Sequence, residues 1–290
     1  MSTVKITCDS TCDLTPELYA RFNVDVIPLG IVLGDELKHD GVDVTVADLY
    51  DYVAKTGVLP KTSAISEGEY IDVWKRYIDD GCEVVHINIS SEISACHQNA
   101  RLAASELGHA YPVDSRSLST GSGILVLAAG KMAEEGLGAA EIAEKLEELK
   151  TRIDCSFVLQ TLEYLQKGGR CSSVLAFGAN LLKLRPEILM EDGAMDVGKK
   201  YRGSAEKSIT DYVRGRLDGR DDLDKSAIFV VDSYADPEVM EKITKLVKDE
   251  YGFENVIRTK AGSTISSHCG AGTMGLMMIK RGTAIVHSRT

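Results

Sequence analysis

The sequence has little clustered positive charge. It contains 33 Lys and Arg residues against 44 Asp and Glu residues, a net charge of −11, and its basic residues form no run longer than a pair such as Lys199–Lys200. Nucleic-acid-binding proteins use basic surfaces to neutralise phosphates, and basic segments also attract proteins to anionic membranes. The composition therefore argues against nucleic-acid binding or stable membrane insertion as the main function.

The sequence also lacks paired cysteines and long apolar runs. Its seven cysteines are scattered, odd in number and never spaced as C-x-x-C, which suits reduced thiols better than a disulfide framework. No segment approaches the roughly 18 apolar residues that a bilayer-spanning helix requires. The first residues lead directly into a strand-like segment, without the charged start and apolar stretch of a signal peptide. We therefore expect a cytoplasmic protein.

The signatures of several enzyme classes are missing. The sequence contains no G-x-S-x-G elbow, no P-loop, no kinase signature and no H-E-x-x-H, so hydrolase, kinase and zinc-enzyme functions lack their usual machinery. The segment Gly270–Gly275 matches the dinucleotide-binding pattern G-x-G-x-x-G, but only 15 residues follow it. A βαβ unit does not fit in that length, so we interpret these glycines as a tight turn. We expect no metal and no cofactor.

Hydrophobic patterning predicts an α/β protein of two domains. In the first half, strand-like runs such as Val24–Leu33 alternate with helical segments such as Glu92–Leu107, which predicts a three-layer domain with a parallel sheet. A helix over Ala139–Ile153 connects to a second half, where Asp192-Gly193 between two strand-like runs indicates a β-hairpin. We predict an N-terminal parallel-sheet domain, residues 1–153, and a C-terminal mixed-sheet α/β domain, residues 154–290.

Four segments of the first domain are rich in hydroxyl groups and follow predicted strands. They are Asp9–Thr11, Lys61–Ser66, Ser90–Ser94 and Asp114–Ser117. Each alone is explained as a helix N-cap, because Ser, Thr and Asp accept hydrogen bonds from free backbone N–H groups. However, ligands of open α/β sheets bind at the carboxyl ends of strands, and helix N-termini bind anions. Together the four segments predict a site for a carboxylate or a phosphate.

Two basic side chains are candidates for contact with such an anion. His268 lies between Ser266-Ser267 and the glycine turn, where it is either a packing histidine or a hydrogen-bond partner of the anion. Arg170 follows two glycines at the end of a predicted short helix, Leu162–Lys167, and alone it is explained as a solvated charge. The residues by themselves leave both pairs of alternatives open.

The order of these motifs resembles that of the DegV family of bacterial fatty-acid-binding proteins. Asp9–Thr11 resembles the family's D-S motif, Lys61–Ser66 its T-S-x-P-S loop, and Ile89–Ala100 its I-S-S-x-L-S-G-T-Y-Q-S-A segment. Further similarity lies at Val113–Ser115, Leu162–Arg170, Leu184–Leu189, Asp192-Gly193, Lys200–Arg202 and His268–Thr273. The similarity covers nearly the whole chain. The chain departs from the family pattern at Ile65, Ala95, Cys96 and Ala271, which would alter the edges of the pocket.

The resemblance implies a DegV-like fold with a long-chain, palmitate-like fatty acid bound between the two domains. It implies that the hydroxyls of Thr62 and Ser94 bind the carboxylate, supported by Ser63 and His268. It assigns Arg170 and Arg202 to head-group support or to a partner-facing surface. It also implies a non-catalytic subunit, one that presents the acid to a separate kinase subunit for acyl-phosphate formation in phospholipid synthesis.

Two other functions remain open at this point. The chain could be a stand-alone enzyme that acts on a small anionic substrate through the same loops, although a recognisable base–nucleophile pair is missing. It could also be a ligand-sensing regulator with a protein target. The role of one apolar run also stays open. Its residues either contact the fatty-acid tail or belong to an ordinary core; they are Met274, Leu276, Met277 and Met278.

Overall fold

The N-terminal half forms a three-layer α/β sandwich in the computed structural model, which describes residues 3–172 and 184–282. Its central sheet is parallel, with strands in the order β2 (Asp25–Ile27), β1 (Thr3–Asp9), β6 (Cys82–Asn88) and β7 (Ala110–Asp114). The ends of β1 and β6 are continuous buried runs, as expected for strands that are covered on both faces. The predicted parallel sheet is confirmed.

Helices follow these strands along the chain, and the last four of them pack against the sheet. They are α1 (Pro16–Arg21), α2 (Val46–Thr56), α3 (Glu67–Asp79), α4 (Cys96–Leu107), α5 (Thr120–Glu134) and α6 (Ala139–Leu149). The pairs α3 with α4 and α5 with α6 pack side by side. Thr45 and Ser66 each form a capping box with the acidic residue three positions on, which explains where α2 and α3 begin. The predicted helix from Glu92 is wrong at its start, because the chain turns until Cys96.

A small antiparallel sheet was not expected from the sequence. It consists of β4 (Glu36–His39), β3 (Gly30–Leu33) and β5 (Lys61–Ser63), in that order. The prediction of one strand over Val24–Leu33 is therefore wrong. Pro28 has no N–H for a strand ladder, and it lies between β2 and β3, so the chain leaves the parallel sheet there. The new sheet places β5, with Thr62, on its edge.

The C-terminal half is built on a mixed sheet of six strands. Their order is β10 (Ala194–Tyr201), β9 (Arg185–Glu191), β8 (Ile153–Val158), β13 (Thr273–Lys280), β11 (Leu223–Ser233) and β12 (Asn255–Lys260). Of these pairs, β11 with β12 is parallel and the others are antiparallel. The predicted hairpin is present: Asp192 and Gly193 have φ of 48° and 84°, the left-handed pair of a two-residue type I′ turn. The predicted mixed sheet is confirmed.

The two faces of this sheet belong to different cores. The helices are α7 (Glu163–Gly168), α8 (Ala205–Leu217), α9 (Pro237–Tyr251) and α10 (Ser263–Cys269). Helices α8 and α9 cover one face, where they pack with Val230 and Leu276. The alternate residues, such as Val231 and Met277, belong to a core that is shared with the N-terminal half. Because strand side chains alternate in direction, one strand contributes to both cores.

Two strands that the sequence did not indicate, β8 and β13, occupy the middle of the C-terminal sheet. The predicted helix Ala139–Ile153 ends at Leu149, and β8 begins at Ile153 after a single 3₁₀ turn. The division between residues 153 and 154 stays a prediction. Among the described helices, none combines the length and apolar character that crossing a bilayer requires.

Candidate ligand-binding site

A cavity lies between the N-terminal sandwich and the C-terminal sheet. Its volume is about 190 Å³. Apolar side chains from both halves form most of its wall, among them Leu29, Ile93, Leu118, Phe157, Ile265 and Met277. The cavity therefore suits an elongated apolar ligand, and the polar groups in its wall decide how that ligand is oriented.

Thr62 and His268 meet in the wall of this cavity, although 206 residues separate them in the chain. Thr62 lies on β5, opposite Ile31 of β3, whereas His268 lies on α10 of the C-terminal half. Thr62 Oγ1 and His268 Nε2 are 2.9 Å apart, a hydrogen bond across the two halves. The structure thus joins two candidates that the sequence offered in separate motifs.

His268 is held in a desolvated position. Burial, with a smaller contribution from the charge of nearby Arg170, lowers its pKa from 6.5 to about 4. Its Nδ1 is buried without a hydrogen-bond partner in the described part of the chain. A Cβ at Gly168 would lie 2.4 Å from that nitrogen, so glycine allows the end of α7 to rest on the imidazole. At neutral pH the ring is uncharged and acts through hydrogen bonding.

Ser94 and Ser63 line the same cavity. Ser94 Oγ accepts a hydrogen bond from the backbone N of Cys96 at 3.2 Å, which closes a local turn before α4. The N-cap residue of α4 is Ala95, without a side-chain capping bond, so the interpretation of this loop as a helix N-cap is wrong. A hydroxyl has one donor and two acceptor sites, and the Ser94 O–H remains suited to an anion. Ser63 lies next to Thr62 on β5 and is exposed, which places it at the rim of the cavity.

Two buried carboxylates support the loop that carries Ser94. Asp9 accepts hydrogen bonds from the backbone N of Ile89 and from His86 Nε2, both at 2.9 Å. Asp114 accepts from the backbone N of Ser91 at 3.1 Å and from its hydroxyl at 2.6 Å. Neither aspartate is among the residues that line the cavity. These two motifs therefore shape the loop rather than contact a ligand.

The two arginines occupy different places. Arg170 lines the cavity, is exposed, and donates from Nη1 to the carbonyl of Gly168 at 2.6 Å. Arg202 follows β10, is exposed, and does not line the cavity. The structure therefore brings Arg170, and not Arg202, to the end that carries Thr62 and His268. A partner-facing role for either arginine stays a prediction.

The apolar run of β13 divides between the cavity and the second core. Met277 lines the cavity. Met274, Leu276 and Met278 lie on the opposite face of the strand, among the side chains of α8 and α9. Tail contact is thus wrong for these three, because a strand alternates the direction of its side chains. For Met277 it stays a prediction.

Most of the other hydroxyls of the wall have protein partners. The Ser119 hydroxyl donates to Asp13 at 2.5 Å, the Ser233 hydroxyl to Ser266 Oγ at 2.8 Å, and the Thr273 hydroxyl to a backbone carbonyl at 2.9 Å. Thr264 Oγ1 also lines the cavity and is buried without a partner in the described part of the chain. No group of three His, Cys, Asp or Glu side chains suited to a metal ion occurs within residues 3–172 and 184–282. The hydroxyl of Thr264 is therefore available to a ligand in addition to the groups at the Thr62 end.

Sequence reasoning missed two buried carboxylates next to the site. Asp13 and Asp40 are each 5% exposed and hydrogen-bond to the first turn of the helix that carries His268. No motif marked them. The available signal was indirect: α10 begins at Gly262-Ser263 without a capping side chain of its own, so its amides needed acceptors from elsewhere.

Comparison with known proteins gives consistent matches over the whole chain. A family model described as an uncharacterised protein of the DegV family matches residues 3–281. A DegV domain-containing protein of Clostridium perfringens is 32% identical over 206 residues, which cover 70% of this chain and 74% of that protein.

Solved structures also match nearly the whole chain. A DegV family protein from Thermus thermophilus, whose structure is described by its fatty acid binding, has a TM-score of 0.84 at 28% identity, with 96% of this chain and 99% of that chain covered. A stearic-acid-binding protein from Eubacterium ventriosum has a TM-score of 0.80 at 26% identity, with 97% and 99% covered. The matched residues include both halves and every candidate site residue, and the chain belongs to the DegV family.

Proposed function

We propose that this protein binds a long-chain fatty acid, with its tail in the cavity and its carboxylate at Thr62, Ser94 and His268. The observation that carries the proposal is the apolar cavity whose wall contains the hydrogen-bonded pair of Thr62 and His268. An ionised carboxylate taken into apolar protein without donors carries a large free-energy penalty. Two hydroxyls and an imidazole in the wall of one cavity would relieve that penalty, and structurally similar proteins are described as fatty-acid-binding proteins.

The tail and the carboxylate of the fatty acid contribute differently to the free energy of binding. Burial of each methylene contributes about 0.8 kcal/mol, so a sixteen-carbon tail contributes on the order of 10 kcal/mol before entropic costs. Each charge-assisted hydrogen bond at the carboxylate contributes roughly 1.5–3 kcal/mol. The tail therefore dominates the affinity, and the polar side chains decide which end of the molecule lies where.

The geometry favours binding over catalysis by this chain. Thr62 Oγ1 and His268 Nε2 at 2.9 Å are spaced like a nucleophile and its base. However, a general base works best with a pKa near the operating pH, and the pKa of His268 is lowered to about 4. Its Nδ1 also has no orienting partner in the part of the chain that the structure describes. The pair is better suited to holding a carboxylate than to activating a hydroxyl.

We further propose that a separate kinase subunit phosphorylates the bound acid. In that reaction a carboxylate oxygen attacks the γ-phosphorus of ATP, the acyl phosphate forms, and ADP leaves. The supporting observation is that Ser63, Ala95 and Arg170 are exposed residues of the cavity wall, so the carboxylate end borders solvent. Arg170 and Arg202 are the charged groups that we assign to partner contact.

Mass spectrometry of lipid extracted from the purified protein tests the first proposal. We expect one fatty acid per chain, and an empty extract together with no binding of added palmitate would contradict the proposal. The double variant Thr62→Val with Ser94→Ala should weaken palmitate binding or displace its head in a crystal structure. Unchanged affinity and an unchanged head position would disprove the anchor residues while leaving the cavity as the tail site.

A coupled assay with a bacterial fatty acid kinase subunit, ATP and palmitate tests the second proposal. His268→Ala and Arg202→Ala should still bind palmitate, because the tail dominates the affinity, but should impair formation of the acyl phosphate. Lys248→Ala, a surface change on α9, is the control for loss of a positive charge. Acyl-phosphate formation at the normal rate with both variants would show that neither residue contributes to phosphorylation by the kinase subunit.

A further inference from the structure

The helix that carries His268 has no capping side chain of its own. Its N-cap residue is Gly262, so its first amides must find acceptors elsewhere. Two carboxylates from the N-terminal half provide them. Asp13 Oδ1 accepts a hydrogen bond from the backbone N of Gly262 at 2.8 Å, and Asp40 accepts from the next two amides of the helix at 2.7 and 3.1 Å.

The two carboxylates are themselves fixed by the N-terminal half. Asp13 accepts from the Ser119 hydroxyl at 2.5 Å, and Asp40 accepts from the Ser10 hydroxyl at 3.0 Å. Burial, together with the neighbouring charge of Asp40, raises the pKa of Asp13 to about 8, although the hydrogen bonds from Ser119 and Gly262 act in the opposite direction. Two acidic groups held this close in a desolvated place are costly unless their oxygens are bonded, and the amides of α10 supply those bonds.

The fit between the carboxylates and the start of the helix is close. A Cβ at Gly262 would lie 3.2 Å from Asp13 Oδ1 and 3.3 Å from each oxygen of Asp40. Because the oxygens surround the first amides from two sides, they constrain the direction of the helix as well as its distance from the N-terminal half. Glycine at the N-cap is what permits this approach.

The other end of the same helix is bonded to the N-terminal half through Thr62 and His268. The helix has seven residues, so these two attachments are only about 10 Å apart along its axis. We propose that Asp13 and Asp40 are positioning residues, which fix α10 so that the imidazole of His268 meets Thr62 at the carboxylate end of the cavity. The consequence for ligand binding rests on the function proposed above, whereas the placement of the ring does not.

Titration of the His268 imidazole by NMR in the ligand-free protein tests this inference. In the unchanged protein the ring should titrate near pH 4. In Asp40→Ala the helix loses two acceptors, so the ring should leave its desolvated position and its pKa should rise towards 6.5, by about one unit or more. Asp13→Ala should act in the same direction. Asp13→Asn keeps an acceptor for Gly262 and a polar group for Ser119, so it should restore most of the original titration.

The matched control is Asp236→Ala, which removes the capping carboxylate of α9, at another helix of the same half. It should lower the melting temperature without moving the His268 titration. If the Asp40 and Asp13 variants also lower only the melting temperature and the ring still titrates near pH 4, the positioning role is overturned. Should Asp40→Ala fail to fold, Asp40→Asn and Asp13→Ala provide the same comparison.

Palmitate binding by the same variants separates this inference from the proposed function. Loss of a positioned head-group contact should weaken palmitate affinity on the order of tenfold. A raised pKa of His268 with unchanged palmitate affinity would leave the positioning role intact and would remove His268 from the proposed carboxylate site. A titration near pH 4 in every variant would overturn the positioning role whatever the affinity.

Discussion

The end of the cavity where Thr62 and His268 meet joins an edge strand of the N-terminal half to a short helix of the C-terminal half, whereas part of the apolar wall is one face of the C-terminal sheet. At the first end, Thr62 and His268 come together over 206 residues of sequence. Along the walls, Phe157 and Met277 follow simply from the alternation of β8 and β13. For the proposed fatty acid, the difference teaches that tail affinity would need only apolar surface, whereas head-group orientation would depend on bonds between the halves.

Shortening the fatty acid gives the largest expected effect. From palmitate to decanoate the ligand loses six methylene groups, which lowers the binding free energy by about 5 kcal/mol, or several thousandfold in affinity. Isothermal titration calorimetry over the series of even-numbered acids measures this slope. An affinity that is independent of chain length would break the comparison, because the tail walls would then contribute nothing.

Two methionines on opposite faces of β13 provide a matched pair. Met278→Ala leaves a void in the core beneath α8 and α9, so it should lower the free energy of unfolding by about 2–5 kcal/mol while palmitate binding is retained. Met277→Ala enlarges the ligand cavity and should shift the preferred acid to a longer chain. Chemical denaturation and the calorimetric series measure the two effects. Equal effects of both changes on ligand preference would contradict the assignment of faces.

A ligand without a carboxylate tests the head-group end of the cavity separately from the tail walls. Hexadecanol keeps the palmitate tail but loses the charge-assisted hydrogen bonds, so it should bind more weakly by about 1.5–3 kcal/mol. Thr62→Val should cost palmitate a similar amount and cost hexadecanol much less. Thr244→Val, on α9 far from the cavity, is the control for loss of a threonine hydroxyl. If Thr62→Val weakens both ligands equally, Thr62 contacts the tail and not the head.

Mild acid should have the smallest effect on the head-group end. With its pKa lowered to about 4 by burial, His268 stays neutral from pH 8 to about 5.5, so its NMR ring signals should not change over that range. In the unfolded chain the ring titrates near 6.5 and takes up a proton first, so the stability that this histidine allows at neutral pH is lost as the pH falls from about 6.5 to 4. A ring that titrates near 6.5 in the folded protein would show that it is not buried against Thr62.

Local chemistry made much of the fold predictable. The hydroxyl-rich segment that ends at Ser66 suggested a helix N-cap, and Asp192-Gly193 suggested a hairpin; both are confirmed. The central strands β8 and β13 were missed, because short apolar runs do not distinguish a strand from a buried helix. The break at Pro28 between two different sheets depends on tertiary pairing, which local patterns do not encode.

The site was predictable residue by residue only through family resemblance. The residues alone suggested hydroxyl loops and left His268 as either a packing residue or an anion partner. The structure places the ring in a packed position, buried against Gly168 and bonded to Thr62, and contact with an anion stays a prediction. Asp13 and Asp40 escaped notice because they bond to backbone amides more than 200 residues away, and such partners leave no pattern in a single sequence.

The placement of the cavity between two halves has a consequence for the amount of protein in a cell. A bound acyl chain would complete a core to which both halves contribute, so the ligand would act as a folding partner. Binding to the folded state alone stabilises it by about 2.7 kcal/mol when the free ligand is at a hundred times its dissociation constant. Proteases remove chains that unfold more often. The abundance of this protein should therefore rise with the supply of fatty acid, without any change in transcription.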